Sequence, residues 1–481
     1  MLRAGGNAVD AALGALLVSF SAEPVLTSLG AGGYMLVIEP GEEPLVLDFF
    51  VEAPGRGADP LARDDLIPVT VSFGDAVQVF NTGPASIGTY GVPAGIAHAS
   101  ERFGSLPLAQ LTTPAAAYAR DGVRLAPQQA YVIDICRGLV TSTPESAALF
   151  APGGELLGAG GLMRQPELAD ALELLGSQGA TPFYTGRLAD AIVDWVSSRG
   201  GLLTAADLAA YRVIERRPVH VRYRGRQVVT NPPPSAGGIL IAQALALLEK
   251  RTSPPSPADL VAVMEAAQAM RTSEFLEGLD DPQFVARFLR AADGAGRLGS
   301  TTHVAVIDHE GRSCSVTTSN GASSGVIVPG TGVHLNNMLG EQDLNPLGFH
   351  RHPPGRRLPS MMAPTAVLSD GLPELVLGSA GSNRIRSAII QTIVRALDEQ
   401  MQVLDAVNAP RLHFEEGVIY AEPGIDEATV RPSPHGFAAF RERNLFFGGV
   451  QAVQRDADGV LRGAGDPRRG GAAVVVDSLD A

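Results

Sequence analysis

The sequence predicts a layered α+β body, with strands and helices in separate blocks of the chain. Strand-like runs bracket a helical middle, and after Thr301 the texture changes to short strands alternating with Gly-rich turns. No repeat of solenoid length interrupts this order. With 481 residues and 45% apolar content, the chain can bury a large core, as one body or as two or three domains.

The elements follow in order. Val9, Ala12, Leu13, Leu16 and Leu17 recur at helical spacing, which predicts a buried helix over 7–20. Gly30–Glu39 and Leu45–Phe50 read as strands joined by the turn Pro40-Gly41-Glu42-Glu43, and Val69–Phe80 as a further strand. From Pro93 to about Gly122 the pattern is helical, with Leu108, Leu111, Ala115 and Tyr118 on one face. Residues 166–212 hold three helical segments, the last capped by Thr204. Val213–Val229 reads as two strands around Arg224-Gly225. A helix then runs to Lys250, and 257–291 is helical again. Beyond Thr301, Ser315–Asn320 predicts a strand able to pair with the first one. A long helix follows Asn383, and Gly471–Val476 predicts a last strand.

Composition excludes several classes. A net charge of −14 argues against a nucleic-acid partner, whose binders carry a basic face. The two cysteines, Cys136 and Cys314, form neither a metal spacing nor a disulfide framework and predict buried thiols. Ala11–Ala22 is too short to span a membrane. Met1-Leu2-Arg3 before it faintly imitates an export signal, but Asn7 and Asp10 interrupt the run, so a cytoplasmic location is the expectation. Gly30-Ala31-Gly32-Gly33 and Gly158-Ala159-Gly160-Gly161 lack a full dinucleotide pattern, His350 and His352 lack a third metal ligand, and Asp280-Asp281 reads as a solvated helix end. No cofactor and no metal are expected.

The chemistry centres on Thr301. It stands between the small-residue stretch Gly294–Ser300 and the strand-like run Thr301–Asp308. Scission of the Ser300–Thr301 bond would give Thr301 a free α-amine beside its own hydroxyl. That amine, with an ordinary pKa of roughly 7.7–8.0, can take the hydroxyl's proton without a separate His-Asp pair. Branching at Cβ stiffens the arrangement. Taken alone, a Thr-Thr-His tripeptide is more often plain strand, and His303 more often a strand residue than a base. The Gly/Ser turn Gly378–Arg384 leads into a helix, where backbone N–H groups can face an oxyanion; by itself it is an ordinary turn.

Several motifs in order resemble those of the γ-glutamyltranspeptidases, a branch of the N-terminal nucleophile hydrolases. They are Gly5–Ala12, Gly91–Gly95, Asn231–Gly238, the Thr301 segment and Gly463–Arg468, and they span nearly the whole chain. The resemblance implies a four-layer αββα sandwich and self-cleavage into subunits 1–300 and 301–481. It also implies transfer of a γ-glutamyl group from glutathione-like amides to water or an amino acid or peptide. Thr301 matches the nucleophile. Ser319 stands where the family has a threonine touching the nucleophile's amine, and Gly321, with Asn320 adjacent, replaces a family asparagine. Gly381 and Ser382 match the oxyanion pair. Glu341 matches the acid that grips the substrate amine, and Ser360 the first of two substrate-binding serines, with Met361 in place of the second.

The largest departure is Phe50, where the family has an arginine for the substrate α-carboxylate; Met338 likewise replaces a polar residue. Two readings stay open: Arg356, Arg357 or Arg384 supplies the cation, or the acyl group differs, as in the cephalosporin acylases. An unprocessed relative that binds peptides is the rival from outside enzymology. The resemblance also implies an additional strand and helix start ahead of Gly5, often after an export signal, which gives exported as the alternative location.

Overall fold

The computed structural model describes residues 1–59, 63–72, 77–279, 301–342, 344–345, 348–431 and 433–476. Ser300, the rest of the Gly294–Ser300 stretch, Asp280-Asp281 and the distal part of the 257–291 helical run lie outside the described residues.

Two antiparallel sheets face each other. The first runs in the order Thr302–Ile307, Ser313–Ser319, Gly32–Ile38, Leu45–Phe49, Ile214–Arg216. The second runs Leu461–Ala464, Gly449–Arg455, Leu372–Ala380, Thr365–Ser369, Arg226–Thr230, Val219–Tyr223. The helices Ala8–Ala22 and Val92–Phe103 cover the outer face of the first sheet, and Ala236–Glu249 and Arg384–Leu397 that of the second. The result is a four-layer αββα sandwich.

Alternation along one strand shows why the layers form. Gly32–Ile38 is buried at every position. Tyr34, Leu36 and Ile38 join the cluster that reaches the second sheet and its helices, while Met35 and Val37 join the cluster under the first helices. A strand buried on both faces must be apolar on both, which this one is. Between the sheets, His303 lies against Gly378, where an added Cβ would come within 2.3 Å of the ring. Ser315 Oγ donates to Leu377 O at 3.1 Å.

The first helix has a local cause. Asn7 accepts from the Val9 and Asp10 N–H groups, and Asp10 accepts from the Asn7 N–H, a complete capping box. The three helices over 166–212 form, with a second capping box at Thr204 and Asp207. Arg224 and Gly225 both take positive φ at the predicted hairpin turn.

Four expectations need correction. Val69–Phe80 is not one strand but a hairpin, Ile67–Ser72 with Val77–Thr82; Gly74-Asp75 carried the turn signal. The 93–122 pattern divides into Val92–Phe103 and Leu108–Asp121, because Gly104 and Pro107 interrupt it. On the second of these helices Tyr118 is 54% exposed, and the buried face is Leu111, Thr112, Ala115, Ala116 and Ala119. Residues 471–476 form no strand, and their apolar side chains Val474 and Val475 face outward. The helices Pro127–Ile135 and Pro144–Phe150 went unread. No helix among the described residues is long and apolar enough to cross a membrane.

Candidate active site

Thr301 precedes the edge strand Thr302–Ile307 of the first sheet and is 3% exposed. Thr302 pairs with Thr318, so Thr301 comes opposite Ser319. Its neighbour is pinned: Thr302 Oγ1 donates to Glu23 Oε2 at 2.6 Å, and Thr318 and Thr27 share a hydroxyl contact of 2.8 Å. Burial pushes the Glu23 carboxyl above its ordinary pKa, against the opposing pull of Thr302 and Arg469. His303 is no base. Burial lowers its pKa to about 3, and its Nδ1 lies 2.8 Å from Thr317 Oγ1.

The turn Gly381-Ser382 reaches the same end of the sandwich. The first-sheet strands meet Leu372–Ala380 at His303–Gly378 and Ser315–Leu377, and Ser315 pairs with Ala305. Two residues back along the first strand, from Ala305 to His303, match one residue forward along Leu372–Ala380, from Leu377 to Gly378, so Thr301 and the turn lie toward the same end of the two sheets. Gly381 has φ 113° and Ser382 φ 52°. A non-glycine residue in the left-handed region costs about 1 kcal/mol and is held by its surroundings. Behind the turn, Asn383 accepts from Arg271 Nη1 at 2.9 Å and donates to Glu415 Oε1 at 2.8 Å. That pair of bonds fixes the start of the helix Arg384–Leu397.

After Ser319 the chain folds into a second cradle. Ser319 Oγ accepts from the Gly321 N–H at 3.0 Å. Asn320 Oδ1 accepts from Ser28 Oγ at 2.9 Å, while its buried Nδ2 makes no hydrogen bond to a described residue. Glu341, 2% exposed, accepts from the Ala322 N–H at 2.8 Å, and Asn337 Oδ1 takes the same N–H at 2.7 Å. Gly321, at φ 68°, explains the missing asparagine: a Cβ there would stand 2.0 Å from Asn337 Oδ1 and 2.9 Å from Glu341 Oε1. Asn337 fills that space from another segment.

Ser360 and Phe50 form a further group. Ser360 Oγ accepts from the Met362 N–H at 3.0 Å, and its carbonyl accepts from Ala236 N–H and Ser235 Oγ at 2.8 and 3.0 Å. The bond from Leu358 N–H to Val51 O, at 3.0 Å, ties this segment to Phe50. Phe50 is 1% exposed and stacks on Tyr34 with ring centroids 5.4 Å apart. Phe50, Met338 and Met361 all belong to the large core cluster that reaches the second sheet, so the three apolar replacements are buried side chains.

Of the cations proposed to replace an arginine at 50, Arg357 is committed elsewhere. It donates to Phe50 O and Arg212 O at 2.5 and 2.7 Å and pairs with Asp48 at 3.3 Å. Arg384 lies over the Phe446 ring at 4.6 Å and donates to Phe446 O at 2.9 Å. Arg356 precedes Arg357 in sequence, and its carbonyl accepts from Ala53 N–H at 2.8 Å.

Sequence reading missed Glu23, Asn337 and Arg469. Glu23 has no motif around it, and its partner is 279 residues away. Arg469 directly follows the Gly463–Arg468 motif, which was the one available signal. A cavity of about 1230 Å³ runs along the edge strand Thr302–Ile307, between it, the first helix and the second-sheet strands Gly449–Arg455 and Leu461–Ala464, and reaches Glu23. It touches none of Gly381, Ser382, Glu341 or Ser360.

A nucleophile candidate at the head of an edge strand and a Gly-Ser turn toward the same end of an αββα sandwich fit an amide-cleaving enzyme of the hydrolase and acyltransferase type. Comparisons with known proteins give the family. The gamma-glutamyltranspeptidase family profile matches residues 1–291 and 287–476. The chain is 31% identical over 508 residues to the Acylase ACY 1 proenzyme of Pseudomonas sp. (strain SE83), covering 99% of this chain and 90% of the relative. It is 31% identical over 521 residues to the Glutathione hydrolase proenzyme of Escherichia coli (strain K12), covering 97% and 87%. The crystal structure of cephalosporin acylase from Bacillus halodurans superposes with a TM-score of 0.81 at 25% identity, covering 99% of this chain and 93% of that one. The chain belongs to the gamma-glutamyltranspeptidase family.

Proposed function

We propose that this enzyme cleaves its own backbone between Ser300 and Thr301 and then transfers acyl groups from small amides through an ester on Thr301. The reading is supported by the placement of Thr301 and the Gly381-Ser382 turn toward the same end of two facing sheets, whose strands pack at His303 and Gly378. Thr301 Oγ1 attacks the amide carbonyl carbon, and its proton passes to the Thr301 α-amine. The carbonyl oxygen, now negative, accepts from the Gly381 and Ser382 N–H groups. The C–N bond breaks, and the ammonium proton leaves with the amine product. Water or an acceptor amine then attacks the ester and releases Thr301. Ser319 steadies the α-amine, while Glu341, Asn320 and Ser360 hold the acyl donor.

The principal donor class is the γ-glutamyl amides, such as glutathione. The apolar residues Phe50, Met338 and Met361, where the family has polar ones, favour a second reading, an acylase of the cephalosporin acylase type with a different acyl group. The relatives include both a glutathione hydrolase and acylases.

Denaturing electrophoresis and N-terminal sequencing test the first step. Two chains, the smaller starting Thr-Thr-His-Val, are expected. Thr301→Ala should stay a single chain and lose at least roughly 10³-fold in turnover, as nucleophile deletions do. Turnover by Thr301→Ala equal to wild type would end the reading. Hydrolysis rates of γ-glutamyl and glutaryl p-nitroanilides separate the two donor classes.

A further inference from the structure

With no arginine at position 50, the site needs a cation from elsewhere if its acyl donor carries a second carboxylate. Arg469 has the right position. The short turn Pro467–Arg469 is held by buried ion pairs on both sides: Asp466 pairs with Arg411 at 2.7 Å and with Arg468 at 3.2 Å, and Arg468 Nε donates to Glu422 at 2.7 Å. Its backbone is therefore fixed. From it the Arg469 side chain passes over Gly449, where an added Cβ would lie 2.5 Å from Cδ. The guanidinium ends beside Gly381, with Nη2 3.4 Å from a Cβ built there. Glycine at both positions leaves the arginine its path.

The guanidinium itself is underused. Arg469 is 8% exposed, yet its side chain makes one hydrogen bond to a described residue, from Nη2 to Leu445 O at 3.3 Å. Its buried Nε makes none among the described residues. Arg411 and Arg468, in contrast, pair with carboxylates. A buried cation without a paired anion is costly, and an anionic ligand offsets that cost. The surroundings agree. Burial and the neighbouring Arg384 charge lower the Arg469 pKa to about 10, which leaves it charged at neutral pH, and Glu23 and Asp466 only partly compensate. The Cys136 thiol feels both Glu341 and Arg469, so these two opposite charges flank one region.

We infer that Arg469 binds a second carboxylate on the acyl donor, either the α-carboxylate of a γ-glutamyl group or the terminal carboxylate of a glutaryl group. The inference rests on the acyl-transfer reading above and adds its specificity residue. Charge-assisted bonds to a guanidinium are worth about 1.5–3 kcal/mol, or roughly 10- to 150-fold.

The test uses self-cleaved enzyme and three p-nitroanilides: glutaryl, γ-glutamyl and the uncharged pentanoyl. In Arg469→Met, kcat/KM for at least one carboxylate-bearing donor should fall by about 30-fold relative to pentanoyl, chiefly through KM, with Arg469→Lys between wild type and Met. The donor whose KM rises identifies the source of the carboxylate. Free glutarate or glutamate should inhibit pentanoyl turnover competitively, and Arg469→Lys should weaken that inhibition. This second measurement decides the matter if Arg469→Met does not mature. Equal losses on all three anilides, no change on any, or inhibition unaltered by Arg469→Lys would overturn the assignment. Wild type that self-cleaves but turns over no anilide would refute the acyl-transfer reading itself, a result distinguishable from failure at Arg469.

Discussion

Gly321 and Phe50 are two single residues whose side-chain choice sets the shape of the site. At Gly321 the backbone is left-handed, and Asn337 and Glu341 occupy the space a side chain would need. Gly321→Ala is expected to lower stability by about 2 kcal/mol, combining positive-φ strain with overpacking against buried polar atoms. Because Ala322 N–H donates to Glu341 and helps orient it, KM for the donor should rise as well. A melting curve and donor titration check both. Phe50 is stacked on Tyr34 in the core. Phe50→Arg should therefore not recreate a working carboxylate site. It places a second guanidinium near Arg357 in apolar surroundings and is expected to destabilise by about 3 kcal/mol or more, whereas Phe50→Leu should cost about 1–2. A melting temperature for Phe50→Arg equal to wild type would contradict this.

Where the two sheets meet, packing depends on small residues set opposite large ones. Gly378 on Leu372–Ala380 accepts the His303 ring of the facing strand. The ring is held by Thr317 at 2.8 Å and cannot swing aside freely. Gly378→Ala is expected to force the strands apart, costing roughly 1–3 kcal/mol. Since Thr301 lies two residues before His303 and Gly381 three after Gly378, the same substitution should slow both self-cleavage and turnover. Time-resolved electrophoresis of the variant reads the first effect. Unaltered cleavage at wild-type stability would show that the sheet spacing does not govern the site.

Over the whole molecule, buried histidines contribute to the response to acid. His303 is lowered to about 3 by burial. His334, between Pro24 O and Ser323 Oγ, is lowered to about 4 by burial, although its bond to Pro24 O opposes the shift. Unfolded histidine titrates near 6.5. Below that pH the unfolded chain binds protons that the folded one refuses, so stability is full above about 6.5 and falls as pH drops. The decline should level off only below about 4 and 3, where the folded residues titrate in turn. Melting temperature measured from pH 8 to pH 4 should decrease below 6.5, and His303→Gln should flatten that decrease. A flat profile in wild type would contradict the burial of these rings.

What the chain alone determined was local. The capping box of Asn7 and Asp10, the turn at Arg224-Gly225, the Thr204 cap and the two-sided apolar strand Gly32–Ile38 each declare themselves within a few residues, because backbone hydrogen bonds and side-chain periodicity are short-range causes. The order of motifs likewise supplied the family and the expected nucleophile, but not the surroundings of the site. The hairpin at 67–82 escaped because its turn lies inside an apolar run, and 471–476 failed as a strand because strand propensity does not supply a neighbour to pair with. Only the tertiary structure decided that Glu23 meets Thr302, that Asn337 takes the place of a side chain at Gly321, and that Arg469 reaches Gly381. Those contacts join residues far apart in sequence, and which pairs meet depends on how the sheets stack, an outcome no short window of sequence contains.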